Sequence, residues 1–168
     1  MVLIGNIIAL IASLFMVYGG TIKKKKSILI VQCIELSLYT VANAFLGGIS
    51  GVIINFLGVI NNFLEYKKKL NTLAKIIISI VSIVLVLLLN NKGIFGYFPL
   101  LCILIYLWSL NIKDVVRLKT MIIITIIFWL IYDFSVKGYI SCIFDILTII
   151  TNIIAIVQLK RKKLKKRR

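Results

Sequence analysis

The sequence has no histidine, one proline and only five acidic residues among its 168. Without imidazole, a histidine-based triad and any metal site built on histidine are excluded. The three cysteines, Cys33, Cys102 and Cys142, cannot all pair and lack metal-ligand spacing, so they are expected as buried free thiols. Phosphate loops, zincin motifs and nucleophile elbows are absent. The one conceivable catalytic couple, Asp133 with Asp145, is split by twelve residues and a turn. No catalytic residue, metal ligand or cofactor is therefore expected, and the chain is not read as an enzyme. Polar surface is scarce as well: charged types make up 15%, apolar types 61%, and mean hydropathy is +1.09. That balance excludes a water-soluble globular domain. It also excludes a disordered nucleic-acid binder, despite a net charge of +16.

What remains is long apolar runs separated by lysines. A membrane-spanning helix needs about 20 mostly apolar residues. Single spans fit at 2–21, 28–46, 49–66, 73–90, 94–112, 120–136 and 139–159, the third and sixth being short. Nineteen of the 21 basic residues fall in four clusters: Lys23–Lys26; Lys67–Lys69 with Lys75; Lys113, Arg117 and Lys119; and the tail Lys160–Arg168. Only Lys92 and Lys137 lie elsewhere. Seven spans put all four clusters on one side, which the positive-inside rule makes the cytoplasm, with the N-terminus outside and the C-terminus inside. The basic tail reads as an anchor for anionic headgroups, since it has no interleaved aromatics for base stacking. The first 20 residues lack a basic n-region and precede a lysine stop, so they read as a retained span.

Compared with itself at a shift of 90 residues, without gaps, the chain repeats. Tyr18 meets Trp108, Lys23 meets Lys113, Tyr39 meets Trp129, Asn43 meets Asp133, Gly48 meets Gly138, Asn55 meets Asp145 and Asn62 meets Asn152. The expected fold class is an all-α integral membrane protein of seven helices in a 3+1+3 parallel-repeat arrangement. Residues 1–70 form the first three-helix repeat, 71–93 the linker helix, 94–159 the second repeat and 160–168 the basic tail. Parallel repeats are related by an axis along the membrane normal, where a site is expected.

Helical spacing sorts the intramembrane polar residues into stripes. Glu35, Tyr39 and Asn43 share one face of the second span, and Thr125, Trp129 and Asp133 share one face of the sixth. Asn55, Gly58 and Asn62 align in the third, and Asp145, Thr148 and Asn152 in the seventh. Carboxylates in hydrocarbon are costly, so Glu35 and Asp145 should face the bundle interior; Asp133 lies nearer the outer surface, where water can solvate it. Asn61, Asn62, Ser79 and Ser82 equally suit helix-to-helix hydrogen bonding. Gly48 and Gly138 read as turn glycines. Pro99 would kink the fifth span, as a hinge or a static bend.

Pro99, Trp108, Trp129-x-x-Tyr132-Asp133-Phe134, Gly138, Asp145 and Asn152, with a weaker echo in Asn43-x-Phe45-Leu46-Gly47, Asn55 and Asn62, resemble the YgjV family of bacterial inner-membrane proteins. The sequence departs from that pattern at Gln158, where a basic residue is common. The resemblance implies a multi-pass protein of the bacterial inner membrane and names no substrate. More distantly, the plan resembles the PQ-loop and SWEET transporters, although Leu100 rather than glutamine follows Pro99. That second resemblance implies a central substrate pocket of Asn55, Asn62, Asp145 and Asn152, with Tyr39 and Trp129 stacking on a solute. Glu35, Asp145 or Asp133 would couple an ion or proton. The expected function is a small-molecule transporter or facilitator; the alternative is a receptor, sensor or assembly partner. Expected partners are the lipid bilayer and an unidentified solute, with a homo-oligomer left open and no nucleic acid.

Overall fold

The computed structural model describes residues 1–165, with side chains through Arg161; the end of the basic tail lies outside the described residues. The described residues form seven α-helices: α1 Val2–Thr21, α2 Lys25–Leu46, α3 Ile49–Tyr66, α4 Thr72–Leu89, α5 Tyr97–Ser109, α6 Val115–Ser135 and α7 Tyr139–Lys165. Among the described residues there is no β-strand. Six helices are long and apolar enough to cross a membrane. The expected spans coincide with α1 and α3. The helices α2 and α6 start earlier than hydropathy alone suggested, because lysines and caps at a helix start lower hydropathy without breaking the helix. Asp114, for example, accepts from Val116 N–H at 2.8 Å and begins α6 before its apolar run.

The fifth span is corrected most. In place of one helix over 94–112, a 3-10 turn at Gly93–Gly96 leads into α5 of only 13 residues. At 1.5 Å per residue that is about 20 Å, short of the roughly 30 Å hydrocarbon core. Pro99 lies in the first turn of α5, where its missing N–H costs no intrahelical bond. The expected kink is therefore a helix start. Gly48 and Gly138 stand in the turns as expected, and the left-handed positions fall one residue before them, at Gly47 (φ 71°) and Lys137 (φ 63°). Each is followed by a residue whose N–H closes back on the preceding helix, Gly48 onto Asn43 O at 2.9 Å and Gly138 onto Asp133 O at 2.8 Å.

Six helices close a ring in the order α1, α2, α3, α5, α6, α7, and α4 sits outside it against α3 and α5. The seam between α1 and α7 is long, whereas α3 and α5 meet only briefly. Small residues permit the close approaches. A Cβ on Gly5 would strike Leu46, and one on Gly20 would strike Thr151 and Asn152. Because successive helices alternate in direction, the lysines after α1, α3 and α5 gather at one end of the ring. There Ile28, Leu29, Leu107, Leu110, Leu118 and Ile122 form an apolar cluster. Outward, α4 shows Leu73, Ile77, Ile80, Val84 and Leu87 as an exposed apolar stripe, a surface suited to hydrocarbon.

Candidate functional site

Within the ring lies a cavity of about 100 Å³ lined from both sides. That is room for several water-sized molecules. Its wall extends the stripe of α2 one turn past the expected face, through Gln32, Glu35, Leu36, Tyr39 and Asn43. From α6 come Ile122, Thr125, Ile126, Trp129 and Asp133. Asn55 and Gly58 of α3 face Asp145, Thr148 and Asn152 of α7, and Met16 of α1 has Tyr106 of α5 as its counterpart. Eight of these lining pairs are separated by 90 residues: 16 with 106, 32 with 122, 35 with 125, 36 with 126, 39 with 129, 43 with 133, 55 with 145 and 58 with 148. The helix starts follow the same interval, α2 to α6 and α3 to α7.

Of the residues singled out from sequence, Glu35, Tyr39, Asn55, Trp129, Asp133, Asp145 and Asn152 come together on this wall. Asp133 is buried rather than solvated at the surface. Asn62 is not on the wall. It sits one layer behind, where its Oδ1 lies 3.1 Å from the Tyr106 hydroxyl and so positions a tyrosine that does line the cavity. Pro99 does not line the wall, although Cys102 and Ile103, one turn further along α5, do. Ser82 of the linker helix donates to Ile78 O at 2.7 Å, a bond within its own helix.

Hydrogen bonding divides the wall into committed and free groups. The Ser13 hydroxyl donates to Ala9 O at 2.7 Å, so the Tyr39 hydroxyl, 2.8 Å away, donates to Ser13 Oγ. Thr125 and Thr148 donate to their own helices. Asn152 is fully engaged: its Nδ2 donates to Thr148 O at 2.9 Å, and its Oδ1 accepts from Lys119 Nζ at 3.0 Å. By contrast, Asp145 Oδ2 and Asn43 Oδ1 are buried with no hydrogen-bond partner among the described residues.

Lys119 is the residue that sequence reasoning misplaced. Counted among the surface lysines, it is fully buried. Its ammonium donates to Gly20 O at 2.7 Å as well as to Asn152. Lys25 acts at the corresponding seam, donating to Leu110 O, the position 90 residues after Gly20, and pairing with Glu65. Each lysine thus ties the second helix of one half to the end of the first helix of the other. The signal was available: Asp114 as a helix cap would have put Lys119 inside α6 and not before it. At the opposite end, Gly51 N–H donates to the Tyr132 hydroxyl at 2.9 Å, linking α3 to α6. Among the described residues no three His, Cys, Asp or Glu side chains are grouped to hold a metal ion.

A family model described as Imp-YgjV, bacterial inner membrane protein, matches residues 3–163. No curated protein and no solved structure matches the chain.

Proposed function

Since the chain belongs to this family of multi-pass bacterial inner membrane proteins, we propose that it is a small-molecule transporter or facilitator whose solute sits in the cavity between two three-helix bundles. The observation that carries this is the set of eight lining pairs separated by 90 residues. Helix-gluing residues have less reason to recur at matched positions around one cavity. The plan is two parallel copies, α1–α3 and α5–α7, joined by α4, with the N-terminus outside and the lysine-rich end inside by the positive-inside rule. The mechanism is alternating access, one bundle rocking on the other. The paired lysine ties to Gly20 O and Leu110 O hold the inner end shut, and the Tyr132–Gly51 bond holds the outer end. Tyr39 and Trp129 bracket the solute, and Asn55 and Asp145 meet it with polar groups.

Cys102 is a native reporter, since it lines the cavity. In a Cys33→Ala, Cys142→Ala background, a membrane-impermeant maleimide is added to right-side-out and to inverted vesicles. Alternating access predicts slow labelling of Cys102 from both faces. Labelling from one face only would replace this function with that of a membrane receptor or assembly partner.

A further inference from the structure

Three of the chain's five acidic residues, Glu35, Asp133 and Asp145, line this one cavity, and among the described residues no lysine or arginine does. The other two carboxylates are accounted for at helix ends: Glu65 pairs with Lys25, and Asp114 caps α6. The buried ammonium of Lys119 spends its bonds on Gly20 O and Asn152 and not on the three carboxylates. Two further observations point to a missing donor. Asp145 and Asn43 are each 2% exposed, both line the cavity, and each has an oxygen with no partner among the described residues. A buried acceptor left unpaired costs free energy, and a buried carboxylate without a counter-charge costs more.

We propose that the cavity binds a small organic cation, a protonated amine or quaternary ammonium. The carboxylates supply the counter-charge. Tyr39, Tyr106 and Trp129 on the same wall supply aromatic faces that attract such cations. Three carboxylates distributed around the wall, not converged as in a metal site, suit a charge delocalised over an organic group. A cavity of about 100 Å³ limits that group to a few heavy atoms. This rests on the cavity being the solute site.

The test uses the full chain in lipid nanodiscs at constant ionic strength. Thermal unfolding is followed with ethylammonium, tetramethylammonium and guanidinium chloride, against potassium chloride and the neutral isosteres propane and tert-butanol. At least one organic cation should raise the midpoint saturably, which the neutral isosteres and potassium should not do. Asp145→Asn and Glu35→Gln, both near-isosteric, should each weaken that cation roughly tenfold or more, the scale of one charged hydrogen bond. Silence from all three cations overturns the proposal. So does equal stabilisation by neutral isosteres or potassium, or parental affinity in both variants. Counterflow of radiolabelled tetramethylammonium in proteoliposomes separates the two levels. Binding without counterflow keeps the cation site and removes transport, whereas counterflow of a neutral solute without cation binding keeps transport and overturns the cation site.

Discussion

Exchanging the residues of two turns tests whether the halves are built alike. Gly47 and Lys137 end α2 and α6 with the same left-handed backbone, at φ 71° and 63°. Left-handed geometry costs an L-residue about 1–2 kcal/mol. Glycine escapes that cost but gives up about 0.4–1 kcal/mol through its freer unfolded chain. Lys137→Gly should therefore stabilise by about 0.5–1 kcal/mol, the difference of the two terms. At Gly47 a Cβ would meet nothing within 4 Å, so Gly47→Lys carries only the backbone term and should destabilise by the same amount. The double exchange should return to the parent within a few tenths of a kcal/mol, as separate sites add. For a chain of this size each single change is worth about 1–4 °C. Thermal unfolding in nanodiscs, followed by tryptophan emission, reads all three. A loss of stability in Lys137→Gly, or single changes of the same sign, would refute the equivalence of the turns.

Two further perturbations address the ties at the ends of the cavity. Tyr132→Phe removes the acceptor of a buried helix-start N–H and should cost about 1–2 kcal/mol, measured by the same unfolding assay; an unchanged midpoint would show that the bond carries no load. Asn152→Leu takes one of two acceptors from the buried Lys119 ammonium in the closed arrangement only, since an opened inner end hydrates that ammonium. At about 1.5–3 kcal/mol for a charged hydrogen bond, the proposed mechanism has the closed-to-open ratio fall roughly tenfold to hundredfold. The labelling rate of Cys102 from the inner face should rise by that order, and an unaltered rate would remove the lysine from any gate.

Much of the fold was legible because hydrocarbon leaves few options. With every backbone group needing an internal partner, apolar runs of sufficient length become helices, and α1 and α3 follow their hydropathy to the residue. The fifth span was not legible in this way. Hydropathy cannot distinguish an apolar 3-10 turn at Gly93–Gly96 from the helix it precedes, and Pro99 marked where the α-helix begins instead of where it bends. The wall of the cavity was readable from helical spacing combined with the repeat, which is why Tyr39, Trp129, Asn55 and Asp145 meet there. Asn62 and Asn152 show the boundary of that method. They match in sequence, yet one stands behind a tyrosine and the other accepts from a lysine, and only packing decides which.

The departures from repetition follow a physical rule of their own. At three matched levels of the wall, one partner is a carboxylate and the other a neutral polar residue: Glu35 with Thr125, Asp133 with Asn43, and Asp145 with Asn55. A second carboxylate at each matched position would put six acidic groups around one small cavity. Like charges in a medium of low dielectric repel by far more than in water. One carboxylate per matched pair keeps that number at three. The first half contributes one of the acids and the second half two, so the charge is shared by both bundles. On the proposed transport function, a cation held there would touch both, and its binding energy would act on the seam between them, where that mechanism puts the rocking motion.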